Sequence, residues 1–328
     1  MTNYMLTYNL FRAYSHINYS LSSECKTSNT LIEGFKEDDE TATTDETPKV
    51  DTDVHLERAA TIAESKICKI AFQPRIDTLS IKRLFPPGHK LSLEFIRSPS
   101  HFSLIDDTAG ANYKIEILDL KLRIRQILPV ESVESSFRKN LETKTIHFPL
   151  TRLVTRTRTL CAGIYDGTII NAITGPLPHH IFITLLSNSQ INGSLTSNPF
   201  FFGRRNLESA SLLVNSTQYP SEKLLFKPTN GDVLRSYSFF NQNIGAVDDQ
   251  SVGITSKQYL QNDFALAFDL SPDMSMNASY HKQLEGSIDI KLTFDTELTS
   301  ALTVLYVMSY DDVISIAPDK SVMLTYQI

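Results

Sequence analysis

The sequence predicts a mainly antiparallel β fold, a sandwich or jelly roll with a few short helices. Three observations carry this expectation. From residue 67 almost to the C-terminus, apolar and polar residues alternate with a period of two, the mark of strands with one face buried. Turn residues cut the alternation into many short runs, as in sandwiches and jelly rolls. Helical patterns of 10–15 residues do not recur between the runs, so alternating strand and helix units are poorly supported.

Residues 1–18 lack the basic region and long apolar stretch of a signal peptide. The run 37–53 holds eight acids, namely Glu37, Asp38, Asp39, Glu40, Asp45, Glu46, Asp51 and Asp53, against Lys49 alone. It is also rich in Thr and nearly free of large apolar groups. Such a stretch buries too little surface to offset its ordering entropy, so a mobile acidic loop is expected. A weak helical stripe follows over 55–66, carried by Leu56, Ala60 and Ala63.

The first candidate strand, 67–72, is closed by the turn Phe85-Pro86-Pro87-Gly88, which neither a strand nor a helix interior tolerates. Leu91, Leu93 and Phe95 then alternate with Ser92, Glu94 and Ile96. The longest alternation is 113–127, where Tyr113, Ile115 and Ile117 precede a parity change at Leu118 and Asp119. Leu120, Leu122 and Ile124 continue inward, and Lys121, Arg123 and Arg125 point the other way. One extra residue that flips the register is the signature of a β-bulge. A helix is predicted over 132–141, with Val133, Phe137 and Leu141 forming one apolar stripe.

The second half continues with strands expected over 151–160, 180–186, 210–214, 264–268, 287–294 and 302–308. Turn chemistry separates them at 171–178, 187–198, 230–231 and 271–273.

Chemistry is sparse. Zinc-protease, phosphate-loop, nucleophile-elbow and dinucleotide motifs are missing, so no catalytic, cofactor-binding or metal-ligating residue is assigned and the chain is not expected to be an enzyme. His179-His180 is read as a surface or loop pair, because neighbours in a strand face opposite sides. Asp106-Asp107, Asp248-Asp249 and Asp311-Asp312 lie beside predicted strand ends, where Asp commonly satisfies backbone donors. Cys25, Cys68 and Cys161 are far apart and odd in number, so buried free thiols in a reducing compartment are expected. The sequons at Asn18, Asn192, Asn215 and Asn277 are then expected to stay unmodified.

No stretch approaches 18 uninterrupted apolar residues, so no membrane span is expected. The net charge is -6, of which 37–53 carries -7. A body left near +1 argues against a strongly basic nucleic-acid binder, so such contact is expected to be weak or absent. Two basic stripes remain, Arg123 and Arg125 with Lys121, and Arg152, Arg156 and Arg158. Three readings are open for these arginines: a solvated outward face, a subunit interface, or phosphate contact.

Several phrases together resemble a known family. They are Leu84 to Leu91 with Phe95-Ile96-Arg97-Ser98, Thr155-Arg156-Thr157-Arg158, Asn198-Pro199-Phe200-Phe201-Phe202, Gln218-Tyr219-Pro220, Phe268 to Asp273 and Val307 to Ile316. In this order the series resembles capsid proteins of Maverick/Polinton-type elements and adintovirus-like viruses, from Leu84 almost to the C-terminus. The resemblance implies a double jelly-roll major capsid protein with two antiparallel sandwiches side by side and three chains in a capsomer. It implies a division into 1–148 and 149–328. The first jelly roll is expected to be incomplete, since Phe11-Arg12-Ala13-Tyr14 looks like a point already inside it. The expected partners are further copies, as a homotrimer or larger shell, and penton-type or minor capsid proteins. The expected place is the virion, or otherwise host cytoplasm or nucleus. The alternative is a β-sandwich module that binds carbohydrate or protein through its loops, and a hydrolase with scattered carboxylates stands third.

Overall fold

Among the described residues, nine strands make up most of the regular secondary structure. They are β1 (Ile146–Leu160), β2 (Asp166–Pro176), β3 (His180–Ser187), β4 (Leu207–Val214), β5 (Thr217–Leu225), β6 (Leu266–Asp269), β7 (Glu285–Phe294), β8 (Leu302–Ile316) and β9 (Val322–Leu324). The helices are short: α1 (Ser100–Ser103), α2 (Glu131–Thr143), α3 (Asn188–Asn192), α4 (Val233–Asn243) and α5 (Ser256–Gln261). The computed structural model describes residues 63–67, 85–86, 90–104, 113–196, 199, 201–227, 233–244, 256–261, 263–271 and 284–324. The acidic run 37–53, the strand expected over 67–72 and the pairs Asp106-Asp107 and Asp248-Asp249 lie outside the described residues, Ile67 excepted.

All strand pairings are antiparallel, in two sheets ordered β1-β8-β3-β6 and β2-β7-β4-β5. From β1 to β8 the chain crosses between sheets at every connection except β4-β5. Eight strands wound in this order form a jelly roll. Strand β9 pairs with Ile314, Ser315 and Ile316 of β8. Because β1 occupies one edge of β8 along its whole length, β9 takes the other edge, beyond the end of β3.

The core lies between the sheets. Ile181, Ile183, Leu185, Val304, Tyr306 and Met308 face Ile173, Ala210, Leu212, Ile288, Ile290 and Leu292, all buried. An aromatic cluster joins this core: Phe240 and Tyr259 have ring centroids 4.8 Å apart, Tyr259 and Phe264 5.3 Å, and Phe226 and Phe264 5.0 Å. Tyr259 is fully buried and donates its hydroxyl to the Ala265 carbonyl at 2.9 Å. Burial pushes that phenol well above its ordinary range.

The six strands expected in the second half are present. The first and last of them are extended: β1 starts at Ile146 rather than 151, and β8 runs on to Ile316 rather than ending at 308. Pro149 lies inside β1, which an edge strand tolerates. Three elements correct the sequence reading. Residues 171–176, expected as a turn, belong to β2, where Asn171 adopts φ 49° and the register shifts between Ile169 and Ile173. The turn-like residues mark a bulge inside a strand. Strand β5 and helix α4 were not expected at all. Hairpin β4-β5 closes through Asn215 and Ser216, both with positive φ (49° and 66°), the geometry of a two-residue type I′ turn.

Of the described residues before α2, none forms a strand. The strands expected at 91–96 and 113–127 are absent as such. The chain there is exposed and makes no sheet pairing, because alternation prepares a strand but only a neighbouring edge makes one. The helix expected over 132–141 is present as α2, one or two residues longer at each end. Cys161 is exposed, not buried, because it sits in the turn directly after β1.

Candidate self-association surface

Residues 113–143 form a continuous stretch that the rest of the described chain barely covers. At its start, the Ile115 amide donates to Ser100 Oγ at 3.4 Å and the Arg97 guanidinium donates to the Ile115 carbonyl. Helix α1 is tied in turn to α3, through His101 Nε2 and the Asn192 carbonyl at 3.1 Å. Beyond Ile115 the anchoring stops. Among the described residues, the backbone of 116–129 makes no hydrogen bond to another segment, and its ion pairs are local: Lys114–Glu116 at 3.7 Å and Lys121–Asp119 at 2.6 Å.

The side chains that alternation marks as core are in solvent. Ile117, Leu118, Leu120, Leu122, Ile124, Ile127 and Leu128 are 50–93% exposed. Helix α2 continues the pattern, with no buried residue and with Val133 and Phe137 exposed on its apolar stripe. Local devices support this helix: Glu131 and Glu134 in its first turn suit the macrodipole, and Arg138 pairs with Glu134 at 2.6 Å. Exposed pairs of this kind contribute about 0.3–0.5 kcal/mol, and isolated helices of this length are marginal in water. Contiguous apolar surface of this kind marks a contact site, and unpaired extended backbone offers a template for strand addition.

The arginines divide into two groups. Arg123 and Arg125 lie on the exposed stretch, on the parity opposite Leu122 and Ile124. Arg152, Arg156 and Arg158 are in β1, where the register pairs them with Tyr310, Tyr306 and Val304 of β8. Paired residues point to one side of a sheet, so these three lie on the side of β1 that faces the core. Arg152 is 20% exposed, lies 3.1 Å from the Asp312 carboxylate, which is 1% exposed, and stacks over the Tyr310 ring at 5.4 Å. Arg156 donates to the Ala172 carbonyl at 3.4 Å, and Tyr306 donates to the same carbonyl at 3.2 Å. Side chains of the first sheet thereby reach the bulge of β2 across the open edge of the sandwich. Arg158 alone of the three is exposed.

The remaining candidates do structural work or stand apart. His179 lies 3.3 Å from Asp311 and His180 3.6 Å from Asp269, both half-buried, and the rings serve separate carboxylates. Asp269 also accepts from the Ser271 amide and hydroxyl, at 2.8 and 2.6 Å. Among the described residues, no group of three or more His, Cys, Asp or Glu is placed to hold a metal ion. Among the same residues, no helix is long and apolar enough to cross a membrane.

No protein-family model matches the chain, and no curated protein does. Among solved structures it is similar to a chain of the PBCV-1 virus capsid, with 10% identity and a TM-score of 0.38 over 59% of this chain and 55% of that one. It is also similar to a chain of the Sputnik virophage, with 17% identity and a TM-score of 0.34 over 56% and 39%. A third is the mavirus major capsid protein, with 9% identity and a TM-score of 0.30 over 55% and 41%. The chain thus spans about two-fifths to just over half the length of the chains it matches.

Proposed function

We propose that this protein is a capsid-type structural protein that associates with copies of itself. The observation that carries the proposal is the exposed alternating stretch 116–130 together with the uncovered stripe of α2. A stable interface buries on the order of 800 Å² of total surface per partner, and an exposed stretch flanked by an uncovered helix stripe offers a place for one. The jelly roll of residues 146–316 supplies a rigid body from which the stretch extends. The ordered series of capsid-like phrases in the sequence supports the same reading.

In this proposal the stretch 116–130 pairs as a strand with a sheet edge of a neighbouring copy, Leu120, Leu122 and Ile124 turn into the contact, and α2 packs beside it. Arg123, Arg125 and Arg158, all exposed, contact the neighbour at the rim. Arg152 and Arg156 are reserved for the internal contacts described above. Division of the chain at 148/149, a trimeric capsomer, contact with penton-type or minor capsid proteins and residence in a virion complete the proposal.

Mass measurement of the purified full chain across a concentration series tests it. Trimers or larger species are expected for the native sequence. A monomer that persists at the highest concentrations would refute it.

A further inference from the structure

We propose that the outward face of the β2-β7-β4-β5 sheet carries a binding site for a sulfate or phosphate ester borne on a sugar. The register sets the residues in two adjoining rows. Thr168 pairs with Lys291 and Lys291 with Ser211, while Lys223 lies beside Ser211 on β5, next to the register shift between Ala210 and Leu212. In the adjoining row Asp166 pairs with Thr293, and Thr293 with Ser209. These residues line a depression of about 250 Å³.

The chemistry of the lining is selective. Four hydroxyls and two ammonium groups converge, with one carboxylate, Asp166, at the corner. Among the described residues neither Lys223 nor Lys291 has a carboxylate partner within 4.0 Å, whereas Lys227 nearby on the same chain is paired with both Glu208 and Asp295. Ser211 is 1% exposed and its Oγ has no hydrogen-bond partner. Buried hydroxyls almost always have one, so this one points to a ligand oxygen. Two cations beside several hydroxyls match a tetrahedral oxyanion, whose oxygens accept from both. The volume lies below the ~300–1,000 Å³ of sites for drug-sized ligands, so it suits one anionic group and one ring. Asp166 accepts from a sugar hydroxyl and disfavours a second anionic group. This site is remote in sequence from the stretch 116–130 and does not depend on self-association.

Calorimetric titration of the full chain with a sulfated disaccharide, its desulfated counterpart and inorganic sulfate tests the proposal. The sulfated sugar is expected to bind saturably, with affinity falling as salt rises, and the desulfated sugar at least ten-fold more weakly. Inorganic sulfate is expected to compete, more weakly than the ester. The pair Lys223→Ala and Lys291→Ala together should reduce affinity at least ten-fold, and Ser211→Ala several-fold, while Lys114→Ala on the distant stretch leaves it unchanged. Thermal melts check that each variant folds, and the two lysine substitutions are on a solvent face where folding is retained. The proposal is overturned if the native chain does not bind, if the desulfated sugar binds equally well, or if the double lysine variant binds as tightly as the native chain.

Discussion

The ion pair between Arg152 and Asp312 offers the sharpest test of how β1 is used. The two groups are 3.1 Å apart, with Asp312 1% and Arg152 20% exposed. At an effective dielectric constant near 20 their attraction is roughly 5 kcal/mol, an upper bound that desolvation offsets in large part. The consequence is an asymmetry between the two single substitutions. Arg152→Met strands a carboxylate that keeps a hydrogen bond from the Val313 amide at 2.8 Å but has little access to water. The loss should be about 3–5 kcal/mol, the range for an uncompensated buried charge. Asp312→Leu leaves a guanidinium on a long stem that already reaches solvent and the Tyr310 ring, so about 1–2 kcal/mol is expected. The double variant carries neither stranded charge and should fall within about 1 kcal/mol of the native chain. Urea unfolding followed by circular dichroism gives all four stabilities, and the cycle isolates the coupling. If Arg152→Met costs under about 1 kcal/mol yet dissociates the assembled protein, the internal assignment of Arg152 is wrong and the residue belongs to a subunit contact.

Three further outcomes follow from the geometry. Replacing Leu122 and Ile124 together by Asp should raise the dissociation constant for self-association at least 100-fold, about 2.7 kcal/mol, with the thermal melt of the jelly roll unchanged; analytical ultracentrifugation measures the first and calorimetry the second. Burial raises the carboxyl of half-buried Asp263 to about 6. Its folded form therefore holds the proton more tightly than the unfolded chain, and stability should fall as pH rises from about 4 to 6, by up to about 2–3 kcal/mol. Asp263→Asn should flatten that slope in urea titrations across this pH range. In the hairpin turn, Ser216→Gly should stabilise by about 0.5–1 kcal/mol, since φ 66° suits glycine; a lower urea midpoint would refute the turn assignment.

Legibility in the sequence followed the environment of each strand. Strand β7 was plain because Ile288, Ile290, Leu292 and Phe294 all enter the core while Asp289, Lys291 and Thr293 face out. Strand β2 was hidden because Gly167, Asn171, Gly175 and Pro176 serve its bulge and its end, and the same residues make turns elsewhere. Strand β5, an edge strand holding Pro220, Glu222 and Lys223, shows too few buried positions to alternate visibly. The candidate self-association surface was half legible. Its alternation over 113–127 was the clearest in the chain, but nothing local distinguishes a strand that pairs within its own chain from one left open. The groove on the outer sheet was invisible, because Thr168, Ser211, Lys223 and Lys291 come from four strands separated by up to 123 residues.

By itself the amino-acid order determined which side chains belong together on one face of each strand, because a period of two is written into neighbouring residues. It likewise determined the helix over 132–141, whose stripe needs only residues four apart. Tertiary structure alone decided which edge each strand takes and hence which face is inside. Arg152 shows why: parity groups it with Arg156 and Arg158, yet only the pairing of β1 with β8 sets that row beside Tyr310 and Asp312. Burial is a property of the neighbour a strand acquires, and for β1 that neighbour lies more than a hundred residues away.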